Sequence, residues 1–291
     1  MNVRRVERVA AACALGESPV WSVREQVLYW VDLRAPSLHC YDPSAGTHRH
    51  WTMPALIGGV VIAADGRLLV ALQSGVHRFT PASGALERIV SCEPASAGNR
   101  MNDTKSDRCG RLWTTTMRDF GAAPSGALYR IDADLTVTRL ADNLRVPNSL
   151  AWSPDDSILY FADTSDGHLR ACDFDRDTGG IGPWRVLAEA GALPGRPDGA
   201  TVDADGCVWS ARYGGGAVVR ITPDGRVDRV IRVPATQVAA CAFGDADLRT
   251  LYITTARQRL SEDALASQPD AGALFAVRLE VTGLPEPACV L

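Results

Sequence analysis

The stretch Val27-Leu28-Tyr29-Trp30-Val31 is apolar and rich in aromatic residues, and Ser37-Leu38-His39-Cys40-Tyr41 follows it after a short loop. Such pairs of strand-like segments recur about six times, with an average spacing of roughly 45 residues. The other first members are 67–71, 111–115, 158–162, 207–211 and 250–254, and the other second members are 75–79, 127–131, 168–172, 217–221 and 273–277. This spacing is typical of one four-stranded blade, so the sequence predicts an all-β, six-bladed β-propeller.

Turn chemistry separates the repeated segments. Three turns carry an Asp-Gly pair, in 64–66, 204–206 and 223–225, and Pro154-Asp155-Asp156 supplies a fourth. Tight hairpin turns favour these residue types. The best helical periodicity, Leu260 to Ser267, covers only about two turns, which argues against an α/β fold.

The repeats run along the chain without interruption by a linker, a composition break or a low-complexity tract. We therefore expect residues 1–291 to form a single propeller domain. An open array of blades would leave unpaired strand edges. We expect an N-terminal strand around Arg5 to Ala11 to pair with the final blade and close the ring.

The composition excludes several classes of function. Hydrophobic residues make up 46% of the chain and charged residues 22%, which is typical of a globular protein with a substantial core. The formal charge of −4 includes no basic cluster, so nucleic acid is not an expected partner. No segment has the apolar length of a signal peptide core or a membrane span. We expect a cytoplasmic protein without a membrane partner, either a monomer or a weak homo-oligomer.

The eight cysteines and five histidines give little indication of a metal site. The cysteines are isolated, without a C-x-x-C pair, and we expect them to be reduced and mostly buried. His48 and His50 would share one face of a strand and could chelate a metal, but no third ligand lies nearby in sequence. A solvated strand face is the favoured interpretation of this pair.

Polar residues just before the repeated strands are the candidates for chemistry. They are Glu17 before the first repeat, Arg100 and Asn102 before the third, Asn148 before the fourth and Asp198 before the fifth. In a propeller, an innermost strand would begin at such positions, beside the central axis. We therefore expect these side chains to converge at one mouth of the channel.

Glu17, Asn148 and Asp198 together offer two carboxylates and an amide carbonyl. This oxygen set suits Ca²⁺, Mg²⁺ or Mn²⁺ and is tolerable for Zn²⁺ or Fe²⁺, so we expect one divalent metal cation as cofactor. Glu17 stands in an otherwise apolar stretch, where a lone charge would be costly if it were buried unpaired.

Structural alternatives stay open at three of these positions. Asn148 and Asp198 each follow a proline, and both residue types are also good turn formers. Arg100 could simply bridge to Asp103 or Asp107 on the surface.

Six motifs occur in a fixed order, and each is weak alone but specific in combination. They are Leu15-Gly16-Glu17-Ser18-Pro19-Val20-Trp21, Asn99-Arg100-Met101-Asn102-Asp103, the segment 147–155 beginning Pro147-Asn148-Ser149, Pro197-Asp198-Gly199, the segment 251–256 and the segment 268–275. Over essentially its whole length the chain resembles the family named for senescence marker protein, gluconolactonase and luciferin-regenerating enzyme, which includes regucalcin and bacterial sugar lactonases.

The resemblance implies hydrolysis of a sugar lactone. It implies that Glu17, Asn148 and Asp198 are the metal ligands, and that Arg100 and Asn102 hold substrate hydroxyls or the ring ester. The residues read without the resemblance give the same set of candidates.

One departure concerns the loop after the third repeat's leading strand. Animal members place a glutamate there to contact substrate, whereas this loop reads Met117-Arg118-Asp119-Phe120-Gly121. The roles of Arg118 and Asp119, and the sugar preference, are therefore not defined by the resemblance.

Lactone hydrolysis passes through a tetrahedral oxyanion and requires a proton to be taken from water. We assign Asp198 both to metal ligation and to general-base activation of that water. Arg100 would orient the lactone and support the developing negative charge with a charge-assisted hydrogen bond.

Two other classes of function stay open. A propeller can serve as a non-enzymatic metal-binding or protein-interaction platform, although this chain lacks a D-x-[DN]-x-[DN]-G calcium loop. It could also hydrolyse a non-sugar lactone or ester, such as an acyl-homoserine lactone or a phosphotriester. Those substrates are apolar, whereas Arg100, Asn102 and Arg118 favour polyol recognition. A small sugar lactone is therefore the expected partner.

Overall fold

The computed structural model describes residues 6–10, 12–94, 98–119 and 123–291. Its strands are β1 (Glu7–Ala10), β2 (Gly16–Ser22), β3 (Val27–Asp32), β4 (Ser37–Asp42), β5 (Thr47–Thr52), β6 (Ile57–Ile62), β7 (Leu68–Leu72), β8 (Gly75–Thr80), β9 (Ala85–Val90), β10 (Asn99–Ser106), β11 (Leu112–Arg118), β12 (Gly126–Ile131), β13 (Val137–Leu144), β14 (Pro147–Trp152), β15 (Ile158–Asp163), β16 (Leu169–Asp175), β17 (Gly180–Ile181), β18 (Arg185–Ala188), β19 (Arg196–Val202), β20 (Val208–Tyr213), β21 (Ala217–Ile221), β22 (Val227–Arg232), β23 (Val238–Gly244), β24 (Thr250–Thr255) and β25 (Leu274–Arg278). The helix α1 covers Glu262–Ser267, inside the segment with helical periodicity. Each predicted strand segment is confirmed to within a few residues at its ends.

The strands form six small antiparallel sheets, which we number as blades in chain order. The blades are β2-β3-β4-β5, β6-β7-β8-β9, β10-β11-β12-β13, β14-β15-β16 with β17 and β18, β19-β20-β21-β22, and β23-β24-β25-β1. The repeated pairs in the sequence are the second and third strands of every blade. The first strand of each blade contacts the first strands of the two neighbouring blades, from β2 through β6, β10, β14, β19 and β23 back to β2. The predicted six-bladed β-propeller is therefore confirmed.

Burial falls from the axis of the ring to its rim. The first strands β14 and β23 are buried at every position, whereas the outermost strands β5 and β22 are mainly exposed or half-buried. Apolar side chains fill the space between neighbouring blades, as where Val20 and Tyr29 of blade 1 pack in one cluster with Val60 and Phe79 of blade 2. This packing sets the inner strands close around a central channel.

In blades 3 and 5, a buried aspartate fixes a buried tryptophan through the same hydrogen bond. The Nε1 of Trp113 donates a 2.8 Å hydrogen bond to Asp107, and the Nε1 of Trp209 donates one of the same length to Asp203. Arg111 and Arg220 pair with the two aspartates in turn. Both carboxylates are fully buried and fully partnered, so they belong to the scaffold.

The N-terminal strand closes the ring as expected. β1 pairs antiparallel with β25, with Glu7 opposite Ala276 and Arg8 opposite Phe275. Arg8 also forms a 2.9 Å ion pair with Asp270. Of the predicted segment, Arg5 and Ala11 lie outside the described residues.

The cysteines and histidines are arranged without an evident metal centre. All eight cysteines are free and six are buried, as predicted. His48 stacks against Trp30 and His39, with 2.9 Å between the His39 Nδ1 and its own Nε2, so the solvated-face interpretation fits His50 better than His48. Among the described residues, no three His, Cys, Asp or Glu side chains are grouped to hold a metal. No helix in those same residues is long and apolar enough to cross a lipid bilayer.

Candidate active site

The candidate residues sit at irregular points in the innermost strands. The pairing register shifts directly after Glu17 in β2 and after Asn148 in β14, and the shift in β19 spans Asp198. Such bulges turn a side chain out of the regular pleat. Asn148 and Asp198 thus lie within strands, so the alternative that they are turn residues is wrong.

Two aspartates at equivalent places hold the segments that lead into these strands. Asp32 accepts hydrogen bonds from the backbone N–H groups of Ala14 and Leu15 at 2.7 and 3.1 Å. Asp163 accepts two from the amides of residues 145 and 146 at 2.8 and 3.1 Å. The backbone that presents Glu17 is therefore fixed in the same way as the backbone that presents Asn148.

All five predicted site residues line one cavity of about 670 Å³ at one end of the channel. This volume is in the range of small-molecule sites. The wall also includes Leu15, Arg34, Met117, Asp119, Val146, Thr164, Ser165, Gly195, Arg196, Tyr213, Gly214, Gln237, Gln258 and Arg259. Most of these side chains are polar, so the cavity suits a ligand with many hydroxyl or charged groups.

Glu17 and Asp198 are carboxylates without a cationic partner. Neither forms a salt bridge with the side chains that the structure describes. Burial, together with the nearby charges of Asp198 and Asp103, raises the pKa of Glu17 well above its usual range, and the Arg100 guanidinium only partly opposes this. Burial and Asp103 raise the pKa of Asp198 in the same way. Two anions held together in this way would be relieved by a bound cation.

Arg100 is buried and is held by the loop that departs from the family pattern. Its Nε donates a 2.6 Å hydrogen bond to Asp119, which also receives the Nη1 and Nη2 of Arg34 at 2.6 and 2.8 Å. Although burial opposes it, these bonds lower the pKa of Asp119. The alternative that Arg100 bridges Asp103 or Asp107 on the surface is therefore wrong.

Asn102 links Arg100 to the metal-ligand candidates. Its Oδ1 accepts a 2.6 Å hydrogen bond from the Arg100 Nη1. Its Nδ2 donates to the Pro147 carbonyl and to the Asn148 Oδ1, both at 2.8 Å. Both amide hydrogens of Asn102 are thus engaged, so a substrate contact would use the second lone pair of its Oδ1.

The chain of hydrogen bonds continues from Asn148 into blade 5. The Asn148 Nδ2 donates to the Thr164 Oγ1 at 2.8 Å, and that hydroxyl donates to the Pro197 carbonyl at 2.6 Å. Pro197 precedes Asp198. The network fixes the orientation of the Asn148 amide and leaves one lone pair of its Oδ1 for a further partner.

Glu17, Asn148 and Asp198 fit a hard divalent cation. They supply two carboxylates in need of positive charge and one amide oxygen of fixed orientation. Oxygen ligands of this kind are preferred by Ca²⁺, Mg²⁺ and Mn²⁺. The assignment of these three residues as ligands stays a prediction.

Sequence reasoning missed several residues of the wall. Arg34 and Thr164 each follow the second strand of a blade. Arg34 is two residues after the anchoring Asp32, and Thr164 is directly after the anchoring Asp163, so their position after these aspartates is a signal in the sequence. Asp119 was noted in the departing loop without a partner. The sequence predicts a contribution of Arg118 to polyol recognition. Its side chain is exposed, and it does not line the part of the cavity that the structure describes. Phe120 and Gly121 lie outside the described residues.

Comparisons with known proteins agree with the fold and the motifs. Residues 15–257 match the family described as SMP-30/Gluconolactonase/LRE-like region. A 6-deoxy-6-sulfogluconolactonase of Pseudomonas putida is 40% identical, covering 94% of each chain. A pentonolactonase of Haloferax volcanii is 37% identical, covering 98% of this chain and 97% of its own. The crystal structure of a calcium-binding protein, regucalcin, from Agrobacterium tumefaciens superposes with a TM-score of 0.95 at 30% identity, covering 99% and 98% of the two chains. This chain belongs to the SMP-30/gluconolactonase/LRE-like family.

Proposed function

We propose that this protein hydrolyses a sugar lactone to the aldonic acid with one divalent metal ion bound by Glu17, Asn148 and Asp198. The observation that carries the proposal is the pair of carboxylates, Glu17 and Asp198, which share a small-molecule cavity and form no salt bridge with the described residues. The names of the Pseudomonas and Haloferax relatives support the reaction, since both are lactonases that act on sugar lactones. The protein is accordingly a hydrolase of carboxylic ester bonds.

Asp198 is proposed to take a proton from the attacking water. Its carboxylate lines the cavity beside Glu17 and Asn148, where it can accept a proton from a water next to the bound lactone. A divalent cation, when bound, supplies Lewis-acid polarisation of the ester carbonyl. The water oxygen bonds to the carbonyl carbon as its proton passes to Asp198. The bond between that carbon and the ring oxygen then breaks, and the ring oxygen takes up the proton from Asp198 to become a hydroxyl of the open-chain acid.

Arg100 is proposed to hold the reacting end of the lactone. Its Nε and Nη1 are engaged by Asp119, by Asn102 and by a backbone carbonyl, which fixes the guanidinium plane. Its Nη2 forms no hydrogen bond with the described residues. This group is available to donate to an oxygen that gains negative charge during the reaction.

Ca²⁺ is a natural first candidate, since the Agrobacterium structure is titled a calcium-binding protein. The same oxygen set also accepts Mg²⁺ or Mn²⁺, and it tolerates Zn²⁺ or Fe²⁺. We therefore propose a single divalent ion without committing to its identity.

The test is to strip the protein with a chelator, restore one divalent metal at a time, and follow acid release from a panel of aldono-1,4- and aldono-1,5-lactones. We expect turnover above the spontaneous rate that depends on the added metal. Turnover that is unchanged by the chelator would contradict the metal requirement.

A metal-binding or interaction role without catalysis is the second candidate. The observation that favours it is the structural similarity to the Agrobacterium regucalcin, which is described as a calcium-binding protein. Calorimetric metal binding by a folded protein that hydrolyses no lactone would support this candidate. Turnover of a long-chain acyl lactone without turnover of sugar lactones would instead indicate a non-sugar substrate.

A further inference from the structure

The cavity wall contains more positively charged than negatively charged side chains. Three carboxylates line it, those of Glu17, Asp119 and Asp198, and four guanidiniums line it, those of Arg34, Arg100, Arg196 and Arg259. Asp119 is shared by Arg34 and Arg100. If Glu17 and Asp198 are committed to a metal, two guanidiniums are left without a carboxylate.

Arg196 is held in place by neutral groups. It begins β19, and its Nη1 donates to the backbone carbonyl oxygens of Ser165 at 2.6 Å and Thr164 at 3.3 Å. These acceptors orient the guanidinium but leave its charge in place. No carboxylate among the described residues pairs with it.

Arg259 is the second of these guanidiniums in the cavity wall. It forms no hydrogen bond or salt bridge with the described residues, and it is exposed toward the cavity mouth. Tyr213 pairs with Arg196 across β19 and β20. Arg259 and Tyr213 both line the same cavity as Arg196.

Arg196 is also close to the proposed reaction centre. Arg196 and Asp198 are two residues apart on β19, a backbone distance of about 6 to 7 Å. A concave wall with unmatched charge of one sign concentrates ligands of the opposite sign.

We propose that the lactone carries a fixed negative charge on its terminal carbon, outside the lactone ring, and that Arg196 and Arg259 bind this charge. The inference rests on the proposed function and specifies its substrate class. A phosphate, a sulfonate or a second carboxylate would each accept charge-assisted hydrogen bonds from the two guanidiniums. The arginines act on specificity and leave the hydrolytic step to other residues.

The experiment compares kcat/KM of the metal-loaded protein for glucono-1,5-lactone, its 6-phosphate and its 6-deoxy-6-sulfonate. We expect the charged lactones to be preferred, and the preference to fall about tenfold with Arg196→Gln or Arg259→Gln and further in the double variant. Thermal unfolding of the two single variants and of the double variant should match that of the parent, which shows that the variants fold. Arg226→Gln, on the outer turn of blade 5, removes the same charge far from the cavity and should keep the preference.

A binding measurement provides a readout other than turnover. In the metal-free protein, calorimetry should show tighter binding of 6-phospho-D-gluconate than of D-gluconate, and the double variant should lose this difference. The ranking of the 6-phosphate and the 6-sulfonate indicates which anion the site prefers.

Equal kcat/KM for charged and uncharged lactones would overturn the inference while leaving the proposed function intact. A preference for charged lactones that survives in the double variant would overturn the assignment of the two arginines. Absence of turnover with any lactone and any metal would instead contradict the proposed function, and the inference with it.

Discussion

The two ends of the central channel both contain buried charge, but they treat it differently. β10 places Arg100 in the wall of the large cavity and Lys105 at the far end, about 16 Å further along the strand. There Lys105 forms a 2.8 Å ion pair with Glu286, and the cavity beside them measures only about 30 Å³. At the near end, Glu17 and Asp198 have no such partner.

The pKa values follow this difference. Burial lowers the pKa of Lys105, but Glu286 outweighs it, and the net direction is upward, so the lysine is held in its charged form. At the near end, burial and neighbouring carboxylates raise the pKa of Glu17 and Asp198, so their charged forms are disfavoured. At the far end, the charges of Lys105 and Glu286 neutralise each other, and only a small cavity lies beside them. The carboxylates without a cationic partner among the described residues lie at the other end, in the wall of the large cavity, where we propose that a ligand binds.

The largest expected effect is at the near end. Asp198→Asn should lower kcat by about 1000-fold, because it removes both a metal ligand and the proposed base. The fold should keep its stability or gain some, since an unpaired buried charge is removed. Asp224→Asn, in an exposed turn of the same blade, is the matched control for turnover and for thermal unfolding. An Asp198→Asn enzyme within tenfold of the parent would refute the role of Asp198.

The opposite outcome is expected at the far end. Lys105→Met should lower the free energy of unfolding by about 3 kcal/mol, because it leaves Glu286 buried without a partner. Turnover by the folded fraction should change little. The double variant Lys105→Met/Glu286→Leu should recover at least about half of the lost stability in denaturant titrations. If Lys105→Met abolishes turnover without loss of stability, the two ends are not functionally separate.

A pH titration of metal-free protein sharpens the contrast. Above the ordinary pKa values of 3.8 for Asp and 4.5 for Glu, the folded state retains protons at Asp198 and Glu17 that the unfolded state has released. The free energy of unfolding should therefore fall as pH rises from about 4 toward neutrality. A divalent ion at 100 times its Kd should restore about 2.7 kcal/mol at neutral pH. The double variant Glu17→Gln/Asp198→Asn should show neither the fall nor the restoration.

The smallest expected effect concerns the support of Arg100. Asp119→Asn removes the charge that holds Arg100 and Arg34, so we expect KM to rise about tenfold with a smaller change in kcat. Asp166→Asn, on an exposed pair with Arg170, is the control. Equal losses in kcat and in kcat/KM, with KM unchanged, would show that Asp119 acts in the transition state rather than in substrate binding.

The fold was predictable because each blade repeats one local pattern. Segments such as Leu68–Leu72 are apolar on both faces, since they are covered by blades on both sides, and the turn with Asp65 and Gly66 marks the start of this one. The candidate residues Glu17, Asn148 and Asp198 could be found because they interrupt apolar stretches at the start of innermost strands. Their roles as ligands are still predictions, as is the identity of the metal.

The partners of these residues were not predictable. Arg100 was equally compatible with Asp103, Asp107 or a ligand, because sequence distance does not show which side chains meet across the channel. Its actual partner, Asp119, is 19 residues away and reaches it through the antiparallel pairing of β10 with β11. The bulge that turns Asn148 inward leaves no simple signature either, since Asn-Ser after proline is equally typical of a turn.

The pairing of β1 with β25 also determines the stage of folding at which the site is assembled. Glu17 lies in blade 1, whereas the ring is closed through contacts that reach Ala276 in the last blade. Contacts so far apart in sequence form slowly, because a long loop of chain must be ordered first. Individual blades can form as the chain is synthesised. The three proposed ligands are held at fixed distances only after β1 has paired with β25 and closed the ring. Metal binding is therefore expected to report completion of the whole ring rather than the folding of any one blade.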